Sequence, residues 1–421
     1  MEKITSVRGF KDILPDESGI WHYVEGKTRD IFMDFGFREI RVPILEKTDL
    51  FKRSIGESTD IVEKEMYSFP DRGDEYLTLR PEATASVIRA YIEHAMYTKD
   101  PVARLFTIGP MFRRERPQKG RYRQFHQINV EYLGLDDPRI DAEVILMLIQ
   151  LMNHLELTDI KLEINTLGCH ACRPGFRVEL TDFLKDKEIG LCDDCRRRLH
   201  TNPLRIFDCK IDNCQSIIDG APRLSSFTCA ACMDHFTRLK GFLSHFNIPF
   251  NVNEKMVRGL DYYTRTTFEV VTKSLGAQNA IAGGGRYDGL VRDLGGPDIP
   301  GIGFAIGMER LISMMPHGNE NFSPLPDLFI AALGDEAQQI AFALCNRLRM
   351  KGVSTEMDYS SKSLKSQMKR ADKLKCYYTL ILGDKEIHEN KVEMRDMRQG
   401  TQITLDLNQL EDHLMTIVKE R

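Results

Sequence analysis

Residues 106–134 constrain this chain more than any other stretch. Two apolar runs enclose a charged loop. The first run, 106–112, predicts a strand, and 125–133 predicts its antiparallel partner. Period-two alternation sends Phe125, Gln127, Asn129 and Glu131 to one face of the second strand. The loop between them carries Arg113, Arg114, Arg116, Lys119, Arg121 and Arg123 against Glu115 alone, punctuated by Pro117 and Gly120. Arg113, Phe125, Gln127 and Glu131 can face one pocket that offers a guanidinium, an aromatic plate, an amide and a carboxylate. These groups suit a phosphate, a purine ring and a polar small molecule. A solvated hairpin with a basic tip explains the loop but not Gln127 and Glu131.

The chain has 421 residues, enough for two or three domains. Its 42% hydrophobic and 29% charged residues are those of a soluble globular protein. A net charge of -4 gives no global basic field, so any RNA contact would rest on local patches. The polar start at residues 1–6 does not read as a signal peptide, and no apolar run is long enough to span a membrane. The expected compartment is the cytoplasm. Its cysteines are then thiols or metal ligands rather than disulfides. Eight of the ten fall in residues 167–250 as four close pairs: Cys169 with Cys172, Cys192 with Cys195, Cys209 with Cys214 and Cys229 with Cys232. Two such pairs complete a four-thiolate tetrahedral site, so the expectation is structural zinc, two ions, with the pairing of pairs left open.

Along the chain, residues 8–15 open as an extended segment. Ile20, Trp21, Val24, Ile31, Phe32 and Phe35 follow at helical spacing, and Gly36 is a natural stop. Residues 37–45 predict a strand broken by Pro43, which belongs at an edge or an interface. From Tyr76 a short strand runs into Pro81, with Glu82 and Thr84 where a helix begins. An acidic start at 136–143 opens a mostly apolar helix, and 161–165 reads as a strand. The run 258–263 places Arg258, Tyr262 and Tyr263 beside a plausible strand. Its plain reading is a turn with surface tyrosines, Arg258 pairing with a carboxylate such as Asp261. Three consecutive glycines, 283–285, mark either a close approach of backbone to ligand or a tight turn. Residues 301–311 give a strand, a glycine and a helix start. After a linker at 318–326, strands at 328–332, 353–357 and 378–382 alternate with helices at 337–350 and 364–374, a small α/β domain. Lys362, Lys365, Lys369, Arg370, Lys373 and Lys375 form a basic patch there.

The stretch 106–134 resembles motif 2 of the class II aminoacyl-tRNA synthetases, specifically the histidyl-tRNA synthetases. Residues 20–45 resemble motif 1, and 301–311 resemble motif 3. Residues 258–263 and 283–289 resemble two histidine-specific signatures. The resemblance implies an α+β fold: a class II core with a mixed, mostly antiparallel sheet flanked by helices, a cysteine-rich insertion and a C-terminal α/β anticodon-binding domain. The divisions would be 1–166 and 251–320 for the core, 167–250 for the insertion and 326–421 for the anticodon domain. It implies a homodimer joined through motif 1, and L-histidine, ATP with Mg²⁺, and tRNA(His) as partners, with no membrane. The implied reaction is ATP-dependent ligation of histidine to tRNA through a histidyl-adenylate. Arg113 and Arg258 would be catalytic, serving the α-phosphate and the carboxylate. Glu82, Ala83, Thr84, Gln127, Glu131, Tyr262 and Tyr263 would join them around histidine. Glu115, Arg121, Phe125 and Arg310 would join Arg113 around ATP, and Gln118 would approach the tRNA. The competing resemblance is to a catalytically inactive regulatory relative in histidine biosynthesis. That relative generally lacks the anticodon module and loses pocket residues, both of which this chain keeps.

Overall fold

The hairpin read from residues 106–134 lies inside an eight-stranded sheet. In the computed structural model, which describes residues 3–57, 59–117, 120–274, 280–316, 322–360 and 362–419, the strands are β1 (Arg38–Glu39), β2 (Ala103–Phe112), β3 (Gln124–Leu133), β4 (Lys161–Thr166), β5 (Phe250–Val252), β6 (Thr264–Val271), β7 (Ala280–Arg286) and β8 (Gly301–Gly307). Their spatial order is β1-β2-β3-β8-β7-β6-β4-β5. The β1/β2 and β4/β5 pairs are parallel, and the other five are antiparallel. This is the mixed, mostly antiparallel sheet of the class II core. The hairpin register runs from Ala103 opposite Leu133 to Phe112 opposite Gln124. On the other side of β3, Gln127 lies opposite Gly307 and Glu131 opposite Gly303.

The first helix runs Pro15–Asp34 and buries Trp21, Val24, Ile31 and Phe32. Proline sits in its first turn, so the extended opening ends one residue earlier than the sequence suggests. Phe32 meets Phe106 and Phe304 edge-on, at 5.4 and 6.0 Å, and so fixes the helix on the sheet. Gly36, at φ 78°, ends it. The strand expected at 37–45 is two short strands in different sheets. Arg38–Glu39 pairs with β2, and Leu45–Lys47 joins a three-stranded sheet with Tyr76–Leu79 and Tyr67–Pro70. Pro43 between them offers no N–H to a ladder. The helix Pro138–His154 is capped by Asp137, whose carboxylate accepts from Arg139 N at 2.8 Å.

Residues 167–250 fold mainly as helices, Arg173–Lys185, Asp193–Thr201, Asp212–Asp219 and Ala230–His245. Their Leu180, Leu184, Leu199, Ile206 and Ile218 share one apolar cluster with Val87, Tyr91, Leu133 and Tyr287 of the sheet region. Each side chain buried in this way contributes roughly 1.5–3 kcal/mol. The insertion is therefore packed onto the elements that build the site.

Contacts divide the chain into two compact units, Met1–Glu320 and Asn321–Arg421. Part of the expected linker, 318–321, lies outside the described residues. The second unit has the five-stranded order Thr355–Met357, Leu328–Ala332, Tyr378–Leu382, Lys391–Asp396, Gln402–Asp406. Its first three strands are parallel and the last two antiparallel. The antiparallel pair and the closing helix Leu410–Lys419 are additions to the expected alternation. All six cations of the basic patch are exposed. No helix among the described residues is long and apolar enough to cross a membrane.

Candidate active site and cysteine clusters

A cleft of about 790 Å³ opens over β3, β7 and β8. Glu82, Thr84, Arg113, Glu115, Arg121, Phe125, Gln127, Arg258, Tyr262, Tyr263 and Arg310 all line it. Ala83 is fully buried and could offer only its backbone. Gln118 lies outside the described residues.

One end of the cleft is built for charge. Arg113 leaves the end of β2, lies 5.3 Å from the Phe125 ring centre and donates to Pro81 O at 2.8 Å. Arg121 pairs with Glu115, which also lies 3.9 Å from Arg113. Arg310 is oriented by Ala280 O at 2.7 Å and Gly120 O at 3.3 Å. The Phe125 face and three guanidiniums fit a purine carrying a polyphosphate.

The other end holds buried carboxylates. Glu82 accepts from Thr84 N at 2.7 Å and Ala85 N at 2.9 Å, and so satisfies the start of the helix Thr84–Glu93. Burial nevertheless raises its pKa. Glu131 sits beneath the cleft, 1% exposed. It accepts from Thr84 Oγ1 at 2.6 Å and from Tyr287 OH. Burial pushes its pKa up to about 8. Alternation along β3 identified its face but not its depth, and Glu131 meets the cleft through Thr84 and Tyr287. Tyr287, absent from the expected site, lines the cleft and meets Tyr262 edge-on at 5.8 Å. A side chain at Gly303 would collide with Glu131, and one at Gly283 would collide with the Arg258 guanidinium, so both glycines allow close approaches.

Arg258 crosses β7 at Gly283 to pair with Glu269 on β6, and lies 5.6 Å from the Tyr263 ring centre. The carboxylate partner is thus Glu269, one strand away, and not Asp261. Asp261 accepts from Asn202 Nδ2 at 2.9 Å instead. Several buried polar atoms lining the cleft have no hydrogen-bond partner among the described residues: Gln127 Oε1, Asn129 Nδ2 and Arg258 Nε. Buried polar atoms are rarely left in that state unless a ligand or water completes them. Alternation along β3 puts Asn129 on the cleft face beside Gln127.

The cysteine pairs also come together. Cys169, Cys172, Cys229 and Cys232 form one set, and Cys192, Cys195, Cys209 and Cys214 the other; within each set all four sulfurs lie within 4.8 Å of one another. Cys169 and Cys172 sulfurs are 3.6 Å apart, and those of Cys192 and Cys209 3.9 Å. A tetrahedral ion with Zn–S bonds of about 2.3 Å needs sulfurs roughly 3.8 Å apart. Cys229 N donates to Cys172 Sγ at 3.2 Å and Cys192 N to Cys214 Sγ at 3.3 Å, contacts that favour thiolates.

The family model described as histidyl-tRNA synthetase matches residues 9–311, and that described as anticodon binding domain matches 327–416. The chain is 54% identical over 404 residues to the histidine–tRNA ligase of Geobacter sulfurreducens, covering 96% of this chain and 97% of that one. Among solved structures, the apo histidyl-tRNA synthetase of S. aureus superposes with a TM-score of 0.83 at 36% identity, over 98% of this chain and 100% of the other. An ATP phosphoribosyltransferase regulatory subunit/histidyl-tRNA synthetase from Bacillus halodurans shares the fold, with a TM-score of 0.65 at 18% identity over 91% of this chain and 98% of the other.

Proposed function

The chain belongs to the histidyl-tRNA synthetase family and ligates histidine to tRNA with ATP, and we propose that the cleft over β3, β7 and β8 is where histidine and ATP react. The observation that carries this reading is the set of unpartnered atoms, Gln127 Oε1, Asn129 Nδ2 and Arg258 Nε, facing one cavity between an aromatic plate and two buried carboxylates.

Adenine stacks on Phe125, with Glu115 at its amino group. Arg121 and Arg310 hold the outer phosphates. Mg²⁺, which the family's use of ATP implies, supplies further charge neutralisation on the phosphates when bound. The α-ammonium of histidine adds positive charge beside the buried Glu82, whose burial outweighs the Arg113 charge near it, with Gln127 and Thr84 alongside. The imidazole meets Tyr263 and the Glu131–Tyr287 pair. A carboxylate oxygen of histidine attacks the α-phosphorus, and the bond to pyrophosphate breaks in line. Arg113 and Arg258 flank the charge that grows on the α-phosphoryl oxygens. The 3′-hydroxyl of tRNA then attacks the carbonyl carbon, and AMP leaves. Labelled pyrophosphate should exchange into ATP only when histidine is added, and Gln127→Leu should raise the histidine KM. Exchange without histidine, or none at all, would refute this reading. The inactive regulatory relative is not favoured, since the chain keeps Arg113, Gln127, Arg258 and Arg310 and matches the anticodon module over 327–416.

Each cysteine set holds one structural zinc ion, in our reading. The chain works as a homodimer through the motif 1 region: on the three-stranded sheet Leu45, Phe69 and Tyr76 are 39%, 42% and 59% exposed, an apolar surface that a second copy would cover. We assign the enzyme to the cytoplasm, where its substrates are found. The Asn321–Arg421 unit binds the anticodon, its exposed lysines meeting phosphates.

A further inference from the structure

Residues 257–263 carry Arg258, Tyr262 and Tyr263 into the cleft, yet the segment is neither helix nor strand. No strand ladder holds it, and Asp261 N donates to Ile55 O at 3.2 Å. Two side chains of the insertion hold two of its carbonyls, and a third holds the Asp261 carboxylate. Arg205, 8% exposed, donates from Nη1 to Arg258 O at 2.9 Å. Asn202 Nδ2 donates to Asp261 Oδ1 at 2.9 Å. Arg173 donates from Nη2 to Tyr263 O. The beginning, middle and end of the segment are each tied to the same inserted region.

The supports of these side chains are themselves fixed. Asn202 and Arg205 lie between Cys195 and Cys209, so the four-cysteine set to which both belong pins each side of their stretch. Arg173 directly follows Cys172 of the other set. Arg205 is further held by Asp208 at 3.6 Å. Along this route a change in the insertion reaches the reacting atoms through the main chain of residue 258.

We propose that Arg205, with Asn202 and Arg173, is a positioning residue for histidine activation, and that the insertion serves as a clamp on segment 257–263. This rests on the reading of Arg258 as a group that touches the reactants. Arg205 lines the cleft beside segment 257–263, and its part is to set where the Arg258 guanidinium stands, through the Arg258 carbonyl.

The test compares Arg205→Met, Arg205→Lys and Asn202→Ala with the parent and with Arg258→Ala in the full chain. Thermal melting, the kcat and KM of histidine-dependent pyrophosphate exchange, and transfer from preformed histidyl-adenylate to tRNA are measured for each. Arg205→Met should lower kcat for activation by about tenfold to a hundredfold, the scale of a misplaced catalytic group, with a much smaller change in KM for ATP. Arg205→Lys should recover part of that loss, because an ammonium can still donate to the Arg258 carbonyl. Transfer from preformed adenylate should fall less than activation. In an Arg258→Ala background the loss from Arg205→Met should shrink, as coupled residues require. Asn202→Ala should show a milder version of the same pattern. Parent-like kcat in Arg205→Met, beside a slow Arg258→Ala, would overturn the clamp and leave the pocket reading standing. Equal loss of both steps with a lowered melting temperature and no rescue by lysine would overturn it too, reducing Arg205 to a brace. A parent-like Arg258→Ala would overturn both readings.

Discussion

Two clusters of buried charge lie at the eight-stranded sheet and differ in one respect. At the end of β7, Arg286 is 0% exposed, and its Nη1 meets Asp141 Oδ1 at 2.6 Å. It also donates to Leu135 O at 3.0 Å and to Asp288 Oδ1 at 3.0 Å. His235 Nε2 lies 2.8 Å from the other Asp141 oxygen. Burial acts against the Asp141 charge, but Arg286 and His235 more than offset it and lower its pKa. This cluster is complete. In the cleft, by contrast, Arg258 Nε and Gln127 Oε1 are buried without partners among the described residues, and Glu82 and Glu131 have raised pKa values. Buried charge alone does not mark a functional site in this molecule. What sets the cleft apart is that several unpartnered groups and raised carboxylates converge on one cavity.

The two clusters should respond oppositely to mutation. Arg286→Met should cost about 3–5 kcal/mol of stability, because it strands Asp141 as an unpaired buried charge. Activity per folded molecule should stay within a few-fold of the parent. A variant as stable as the parent but slow in activation would break the contrast.

The cysteine sets are a third class, thiols that face one another and are completed by an ion. Protein purified without chelator should contain about two zinc ions per chain. Stripping each ion should lower stability by about 2.7 kcal/mol under conditions where free zinc stood a hundredfold above its dissociation constant. Cys214→Ser should lose one ion and reduce the melting temperature. Metal-free protein with an unchanged melting temperature would place the cysteines with the complete cluster instead.

Glu131 gives the most diagnostic stability effect, because it changes with pH. Its folded pKa, about 8, is raised above its ordinary value of 4.5. The native state therefore keeps a proton that the unfolded chain has released, and stability contributed by this group is full below about pH 4.5 and lost as pH rises through about 8. Glu131→Gln should melt at a temperature that improves relative to the parent between pH 5 and pH 8, while its KM for histidine rises. A pH-independent difference would show that Glu131 is already compensated, like Asp141.

Local patterns in the sequence carried much of this arrangement. Period-two alternation located β3 and the shared face of Phe125, Gln127, Asn129 and Glu131. Cysteine spacing identified the close pairs, and Gly36 and Pro43 marked real breaks. What stayed hidden depends on separations that no local pattern spans. Asp141 and Arg286 are partners 145 positions apart. Arg258 reaches Glu269 across β7, because Gly283 leaves room for it, whereas sequence proximity favoured Asp261. Which cysteine pairs meet required the fold of the insertion. The family resemblance named pocket residues but not Tyr287 as the partner of Glu131, or the insertion side chains around Arg258.

Arg258 decides the central claim, since a guanidinium already paired with Glu269 could be merely structural. Single-turnover pyrophosphate release by Arg258→Ala, normalised to folded protein, is the most direct test. The incomplete cleft predicts adenylate formation slowed by about 10²–10³-fold, the scale for losing one preorganised donor. It also predicts weaker effects on histidine and ATP binding and a smaller effect on transfer from preformed adenylate. A rate within a few-fold of the parent, with stability lost instead, would show that Arg258 belongs with Arg286 and would contradict the account.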